Sequence, residues 1–358
     1  MDISRRHLTR LALGAGGLSL LTGVAQGWLA DAASAASPAP DPLALVDGEL
    51  REAARAMLAQ TFPPMSRETL PAVRASWVPP PLLSAPAPAV VVRQIPGPPG
   101  APAVAVELIG ARTASAPRPA ILHIHGGGMI SGRARNMTSF SQTLAAEFDA
   151  VVVNVDYRLA PETPFPGPVL DNFAAFEWMV ANAGELGIDP RRIAIMGESA
   201  GGGLAAMVAQ MARDSGAIQP CLLVMLYPML DDRTGSARMV PPHIGTIGWS
   251  AEANRFGWSS FLGVTAGSDS VPAGSVPARL TDLAGFPPSF IGVGTLDLFI
   301  DEDLEFGRRL IASGVPTQMH VSPGAYHAFD FVVPEARIAR EFTQAWKSSL
   351  HTAFGSQA

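Results

Sequence analysis

From residue 104 to residue 354 the chain alternates short apolar runs with helix-forming stretches, and this alternation limits its fold more than any other feature. The runs 104–109, 120–125 and 151–157 are rich in β-branched residues or flanked by turn signals, as strands are. Further runs at 193–196, 222–226, 290–293 and 318–321, with Val90-Val91-Val92 upstream, bring the predicted strands to eight. Helices are predicted over 168–183, 200–213, 304–313 and 335–354, the first with Pro168 tolerated in its opening turn. Strands that alternate with helices demand a mostly parallel sheet covered on both faces, an α/β architecture. No internal repeat is visible.

Composition excludes several classes. At 358 residues and 48% hydrophobic, the chain has ample material for a large core. Its net charge of −6 argues against nucleic acid, which wants a basic face. The single cysteine, Cys221, rules out an internal disulfide framework or a multi-cysteine metal site, and reads as a small buried residue. The first 35 residues read as an export signal of the twin-arginine type. Arg5-Arg6 precede the apolar stretch 11–21, and the small residues Ala33-Ser34-Ala35 follow. An exported, periplasmic or extracellular protein without a stable membrane anchor is expected.

Residues 42–60 predict an amphipathic helix with Val46, Leu50, Ala53 and Met57 on one face, and a proline-rich connector occupies 79–102. The stretch from about 232 to 285 breaks the alternation and carries Trp249, Trp258 and Phe261 among glycines, serines and prolines. An insertion between two strands of such a sheet sits over the strand ends, where ligands bind. The expected organisation is therefore a signal over 1–35, a linker and first part of a cap over 36–85, and a catalytic domain over 86–358 with the cap insertion at 232–285.

Two motifs carry chemistry. Gly197-Glu198-Ser199-Ala200-Gly201 lies between a predicted strand and a predicted helix, so Ser199 is expected on a sharp turn with its oxygen clear of the sheet. The helix behind it points backbone N–H groups at any developing negative charge. His125-Gly126-Gly127-Gly128 directly follows another strand, and its side-chain-free backbone can turn N–H groups toward a carbonyl oxygen.

Taken with Asp156-Tyr157-Arg158-Leu159-Ala160-Pro161-Glu162, Tyr227-Pro228-Met229, Asp297-Leu298-Phe299 and Gly324-Ala325-Tyr326-His327, these motifs resemble the bacterial hormone-sensitive-lipase family of α/β-hydrolases. The likeness runs over roughly residues 42–354. It departs at Glu198, most often aspartate in the family, and at Gly203, where many members carry asparagine. The resemblance implies an α/β-hydrolase fold: a mostly parallel eight-stranded sheet with helices on both faces and a helical cap. In that fold the acid and then the histidine follow the serine in sequence. His320 and His327 are the candidate bases. His320 falls inside a strand, whereas His327 follows the turn Ser322-Pro323-Gly324-Ala325 and matches the family's position. Asp297 directly follows a strand, while Asp301, Glu302 and Asp303 open the next helix, where acidic side chains suit the dipole. Asp231 and Asp232 read as structural, and Asp156 with Arg158 as an ion pair holding a loop.

The expected site is thus Ser199, Asp297 and His327, with an oxyanion hole from Gly126, Gly127 and Ala200 and a pocket walled by Met129, Trp249, Trp258 and Phe299. The expected activity is hydrolysis of short- to medium-chain acyl esters, a small-molecule substrate, with no metal or organic cofactor required. The alternatives are an amidase or transacylase with the same triad, or a ligand-binding protein on the same fold. The oligomeric state is left open, a dimer being one option.

Overall fold

The computed structural model describes residues 41–60, 63–84, 87–112, 116–216 and 218–355. The export signal expected over 1–35 lies outside the described residues.

Eight strands form one sheet: β1 (Val90–Ile95), β2 (Val104–Ile109), β3 (Arg118–Ile124), β4 (Val151–Asp156), β5 (Ile188–Glu198), β6 (Leu222–Leu226), β7 (Ser289–Gly294) and β8 (Thr317–Ser322). Their order is β1-β2-β4-β3-β5-β6-β7-β8. β2 is antiparallel to both its neighbours, and every other pairing is parallel. The helices α1 (Arg51–Ala59) and α2 (Leu70–Ser76) precede β1, and α3 (Thr138–Glu147) links β3 to β4. Next are α4 (Gly167–Ala181), α5 (Ala183–Leu186), α6 (Ala200–Ser215) and α7 (Ala251–Leu262). The last three are α8 (Ile300–Ala312), α9 (Phe329–Val332) and α10 (Arg337–Gly355).

The continuous apolar runs of the parallel strands follow from burial on both faces. In β5, Ile193 and Ile195 pack into one apolar cluster with α4 and α6, while Ala194 and Met196 pack into another with α3 and α10. β6 divides in the same way, Leu223 and Met225 against Leu222, Val224 and Leu226.

Two local expectations change. Residues 42–50 form turns rather than helix, because the Asp47 N–H donates to the Gly324 carbonyl and docks this segment on the loop after β8. Helix α1 then begins at Arg51 and turns Ala54 inward, leaving Ala53 half-buried. The expected Asp156–Arg158 pair does not form. Arg158 instead makes a bidentate contact of 2.8 and 2.7 Å with buried Asp171 of α4, while Asp156 accepts from the Ala134 N–H. The chain leaves the sheet after Asp156, so the two side chains no longer share a strand face.

The stretch between β6 and β7 contains α7, whose Trp258 and Phe261 are fully buried. Asp231 and Asp232 tie it down as structural acids. Asp231 binds Arg233 and Arg238, and Asp232 holds Arg279 through two contacts of 2.7 and 2.8 Å and accepts from the Gly267 N–H.

Candidate active site

Ser199, Asp297 and His327 follow β5, β7 and β8, and Gly126 follows β3, so all four gather at the C-terminal ends of parallel strands. This is where open α/β sheets bind ligands. Ser199 sits at φ 57°, ψ −123°, a conformation that a side-chain-bearing residue adopts only at a cost. Its backbone is held from both sides: its N–H donates to Leu226 and its carbonyl accepts from Met229, Gly202 and Gly203. The turn also requires glycine behind the serine, since a Cβ on Gly201 would lie 1.9 Å from the Ile124 carbonyl oxygen.

The ring of His327 bridges the other two groups. Its Nε2 lies 3.0 Å from Ser199 Oγ, and its Nδ1 lies 2.8 Å from Asp297 Oδ2. Asp297 is fully buried, and its other oxygen accepts from the Phe299 N–H at 3.0 Å. An Nδ1–H held by the carboxylate leaves Nε2 free to accept the serine proton. Tyr227 and Phe299 present their rings edge-on to the imidazole at 4.9 and 5.3 Å, and Tyr227 OH donates to Asp330 Oδ1 at 3.0 Å. Burial raises the Asp330 carboxyl to about 7.

His320 is elsewhere. It lies half-buried in β8 against Phe342. The acids after Asp297 also separate. Asp301 is exposed, and Glu302 is buried with Oε1 accepting from the Leu230 and Asp231 N–H groups. Asp303 is buried as well, and all three acids stand in the first turn of α8, as expected. Burial holds both the Glu302 and the Asp303 carboxyl well above the usual range. Cys221 is half-buried at the start of β6, and burial pushes its thiol up to about 12, far from a nucleophile's range.

Gly126 and Gly127 border the same cleft as Ser199, and Ala200 opens α6, so its own N–H has no acceptor within the helix. Gly127 has φ 114°, open only to glycine, and a Cβ there would lie 2.2 Å from the Ser131 carbonyl oxygen. His125 organises this loop: its Nδ1 meets the Gly126 carbonyl at 2.8 Å and its ring stacks on Tyr157 at 4.2 Å. Burial lowers its pKa to about 4, so the imidazole is neutral at pH 7 and Nδ1–H is the donor.

The cleft above Ser199 measures about 540 Å³. Of the four expected wall residues only Trp249 faces it; its Nε1–H donates to Asn254. Met129, Trp258 and Phe299 are fully buried outside its lining. Trp258 packs against Phe261 inside the core, and Phe299 packs on the imidazole instead of facing ligand. The sequence reading missed Trp77, Met137, Phe331 and Val332 on the cleft wall. Trp77 ends a short helix before a proline-rich segment, and an exposed aromatic in such a place was the one available signal. It also missed His123, whose Nε2 donates to buried Glu198 Oε1 at 2.8 Å just behind the serine.

A serine, an imidazole and a buried carboxylate in hydrogen-bonded line, set at the strand ends of this sheet, define an α/β-hydrolase. A family model described as the alpha/beta hydrolase fold matches residues 121–331, and the chain belongs to that family, in keeping with the hormone-sensitive-lipase resemblance. Esterase LipI of Mycobacterium tuberculosis is 34% identical over 212 residues, covering 59% of this chain and 65% of LipI. Carboxylesterase NlhH of the same species is 35% identical over 242 residues, covering 65% of this chain and 74% of NlhH. Among solved structures, a bacterial heroin esterase aligns with a TM-score of 0.78 at 32% identity, covering 88% of this chain and 99% of that one.

Proposed function

We propose that this carboxylic ester hydrolase is a serine esterase acting on short- to medium-chain acyl esters through Ser199, His327 and Asp297. The observation that carries the reading is the line Asp297–His327–Ser199, at 2.8 and 3.0 Å, opening onto the 540 Å³ cleft. The esterases among its relatives support the ester class.

In this mechanism Ser199 Oγ attacks the ester carbonyl carbon while His327 Nε2 takes the hydroxyl proton. The carbonyl π electrons move onto oxygen, where the N–H groups of Gly126, Gly127 and Ala200 hold the negative charge. Loss of one such donor typically costs ~3–4 kcal/mol. Asp297 keeps the proton on Nδ1 and stabilises the imidazolium. The tetrahedral centre then collapses, the carbon–oxygen bond to the alcohol breaks, and His327 gives its proton to the departing alkoxide. Water, deprotonated by His327, repeats the sequence on the acyl-enzyme and releases the acid.

The expected acyl preference follows from the cleft. Each buried methylene gains ~0.8 kcal/mol until the chain meets a wall, after which overpacking reverses the gain. Trp77, Trp249 and Phe331 supply that wall. The test is a panel of p-nitrophenyl esters from acetate to palmitate beside matched anilides, using purified protein. Butyrate or hexanoate should exceed palmitate by about tenfold or more in kcat/KM, a difference of ~1.4 kcal/mol. A maximum at laurate or beyond would defeat the chain-length reading. Anilides turned over as fast as esters would make the enzyme an amidase.

A further inference from the structure

Beside the cleft that holds Ser199 lies a second cavity of about 360 Å³, lined by Arg74, Trp77, Gly132, Arg133, Asp156, Tyr157 and Leu159. Among the described residues Trp77 alone lines both spaces. The two differ in chemistry. Most of the cleft wall is apolar, with Trp77, Val78, Met137, Trp249 and Phe331 around the serine. The residues around the second cavity include two arginines and an aspartate.

The backbone of this partition is fastened while its indole is not. Three residues before Trp77, Arg74 donates from Nε to the Ile130 carbonyl and from Nη2 to the Ala160 carbonyl. It also grips Glu162 through two contacts of 2.7 Å. The Trp77 N–H donates to Arg74, and its carbonyl accepts from Asn136 Nδ2 at 3.1 Å. No hydrogen bond from the described residues holds the indole N–H, and the residue keeps 38% of its surface exposed. On its far side Arg133 and Asp156 are both exposed; among the described residues Arg133 has no ion-pair partner and Asp156 accepts from the Ala134 N–H alone.

We infer that Trp77 determines substrate specificity by closing the Ser199 cleft off from a polar subsite, and that this subsite takes a substrate arm ending in a hydrogen-bonding group such as a hydroxyl. With the indole in place, an arm running toward α2 stops against it. With the indole removed, the arm reaches groups that reward a polar end and disfavour a methyl one, because burying Arg133 and Asp156 under an alkyl tail leaves their hydrogen bonds unmade. The inference rests on the esterase reading above.

The experiment compares wild type with Trp77→Ala and Trp77→Leu on p-nitrophenyl butyrate, decanoate and 10-hydroxydecanoate. A parallel alcohol-side set uses ethyl acetate, decyl acetate and decanediol monoacetate. In one of the two sets, Trp77→Ala should raise kcat/KM of the hydroxyl-ended long ester relative to the short one by tenfold or more. The methyl-ended ester should gain at least threefold less. Trp77→Leu, which keeps a smaller apolar side chain on the cleft wall, should shift the ratios in the same direction by less and covers the case in which the alanine variant does not fold. Unchanged ratios in both sets would overturn the inference. So would an equal gain for the methyl-ended ester, since the freed arm would then be running into solvent or along the apolar rim. Covalent labelling of each variant by a fluorophosphonate is read in parallel. Labelled variants with unchanged ratios sink the subsite alone, whereas a wild type that neither labels nor hydrolyses any ester sinks the esterase reading.

Discussion

Asp297 and His327 lie thirty positions apart, yet Asp297 Oδ2 and His327 Nδ1 meet at 2.8 Å because β7 and β8 are parallel neighbours that end at the same level. The carboxylate is fully buried and its second oxygen is occupied by the Phe299 N–H, so it has one orientation in which to hold the ring. Asp297→Asn would keep the shape and reverse the tautomer preference. Turnover of an ester substrate should fall ~10³-fold or more, and His327→Ala should lose a similar amount. His320→Ala and Asp301→Asn should stay within roughly tenfold of wild type, since neither group touches the line of three. Steady-state kinetics on the four variants decide between the pairs.

Trp249 and Trp258 separate binding from packing. Trp258 is buried against Phe261, so Trp258→Ala should cost ~3–5 kcal/mol of stability and leave the acyl-length profile in shape. Trp249 faces the cleft, so Trp249→Ala should move the profile toward longer or bulkier acyl groups at a smaller cost in stability. Chemical denaturation and the ester panel, run on both variants, give the two readouts. A changed profile for Trp258→Ala with none for Trp249→Ala would reverse the assignment.

The fully buried His125 gives the fold an acid sensitivity with a definite sign. Burial lowers its pKa from 6.5 to about 4, so on acidification the unfolded chain takes up this proton first. Stability is therefore lost as pH falls from about 6.5 toward 4, and is fully present above that window. Relative to His125→Gln, the wild type should lose about 2–3 kcal/mol between pH 7 and pH 4.5. Urea titrations of both proteins at the two pH values measure the difference. A gap between them that does not change with pH would mean that folding leaves the His125 pKa where it is in the unfolded chain.

We propose export by the twin-arginine route on the sequence of Arg5 and Arg6, which lie outside the described residues. Replacing both by lysine should leave the precursor in the cytoplasm of a bacterial host, because that route reads the arginine pair itself. Fractionation checks it, and an unchanged exported fraction would point to the general secretory route or a retained N-terminus.

Much of this molecule was legible in the chain because a few residue types have only one use. A strand that ends in Gly197-Glu198-Ser199 and passes into Ala200-Gly201 has few alternatives to a sharp turn, and β5 and α6 meet there. The two-sided burial of β3, β5, β6 and β7 wrote itself as unbroken apolar runs. Helix α3 carries no such mark, since its Ser, Thr and Gln side chains obscure its apolar face, and it was not anticipated. The cleft wall was harder still. An aromatic residue reads the same whether it faces a ligand, as Trp249 does, or a neighbour's ring, as Trp258 does. The contribution of Trp77 depends on a clamp from Arg74 to Ile130, Ala160 and Glu162, contacts that span more than fifty positions.

The central claim is that Ser199 forms a covalent acyl-enzyme. The direct measurement is intact-protein mass after reaction with a fluorophosphonate, on the wild type and on Ser199→Ala, with far-UV circular dichroism to show that both are folded. The account predicts a single adduct on the wild type, mapped to Ser199 by peptide digestion, and none on the variant, whose ester hydrolysis is also lost. Labelling of the variant to the same extent, or an adduct mapped to another residue, would contradict it.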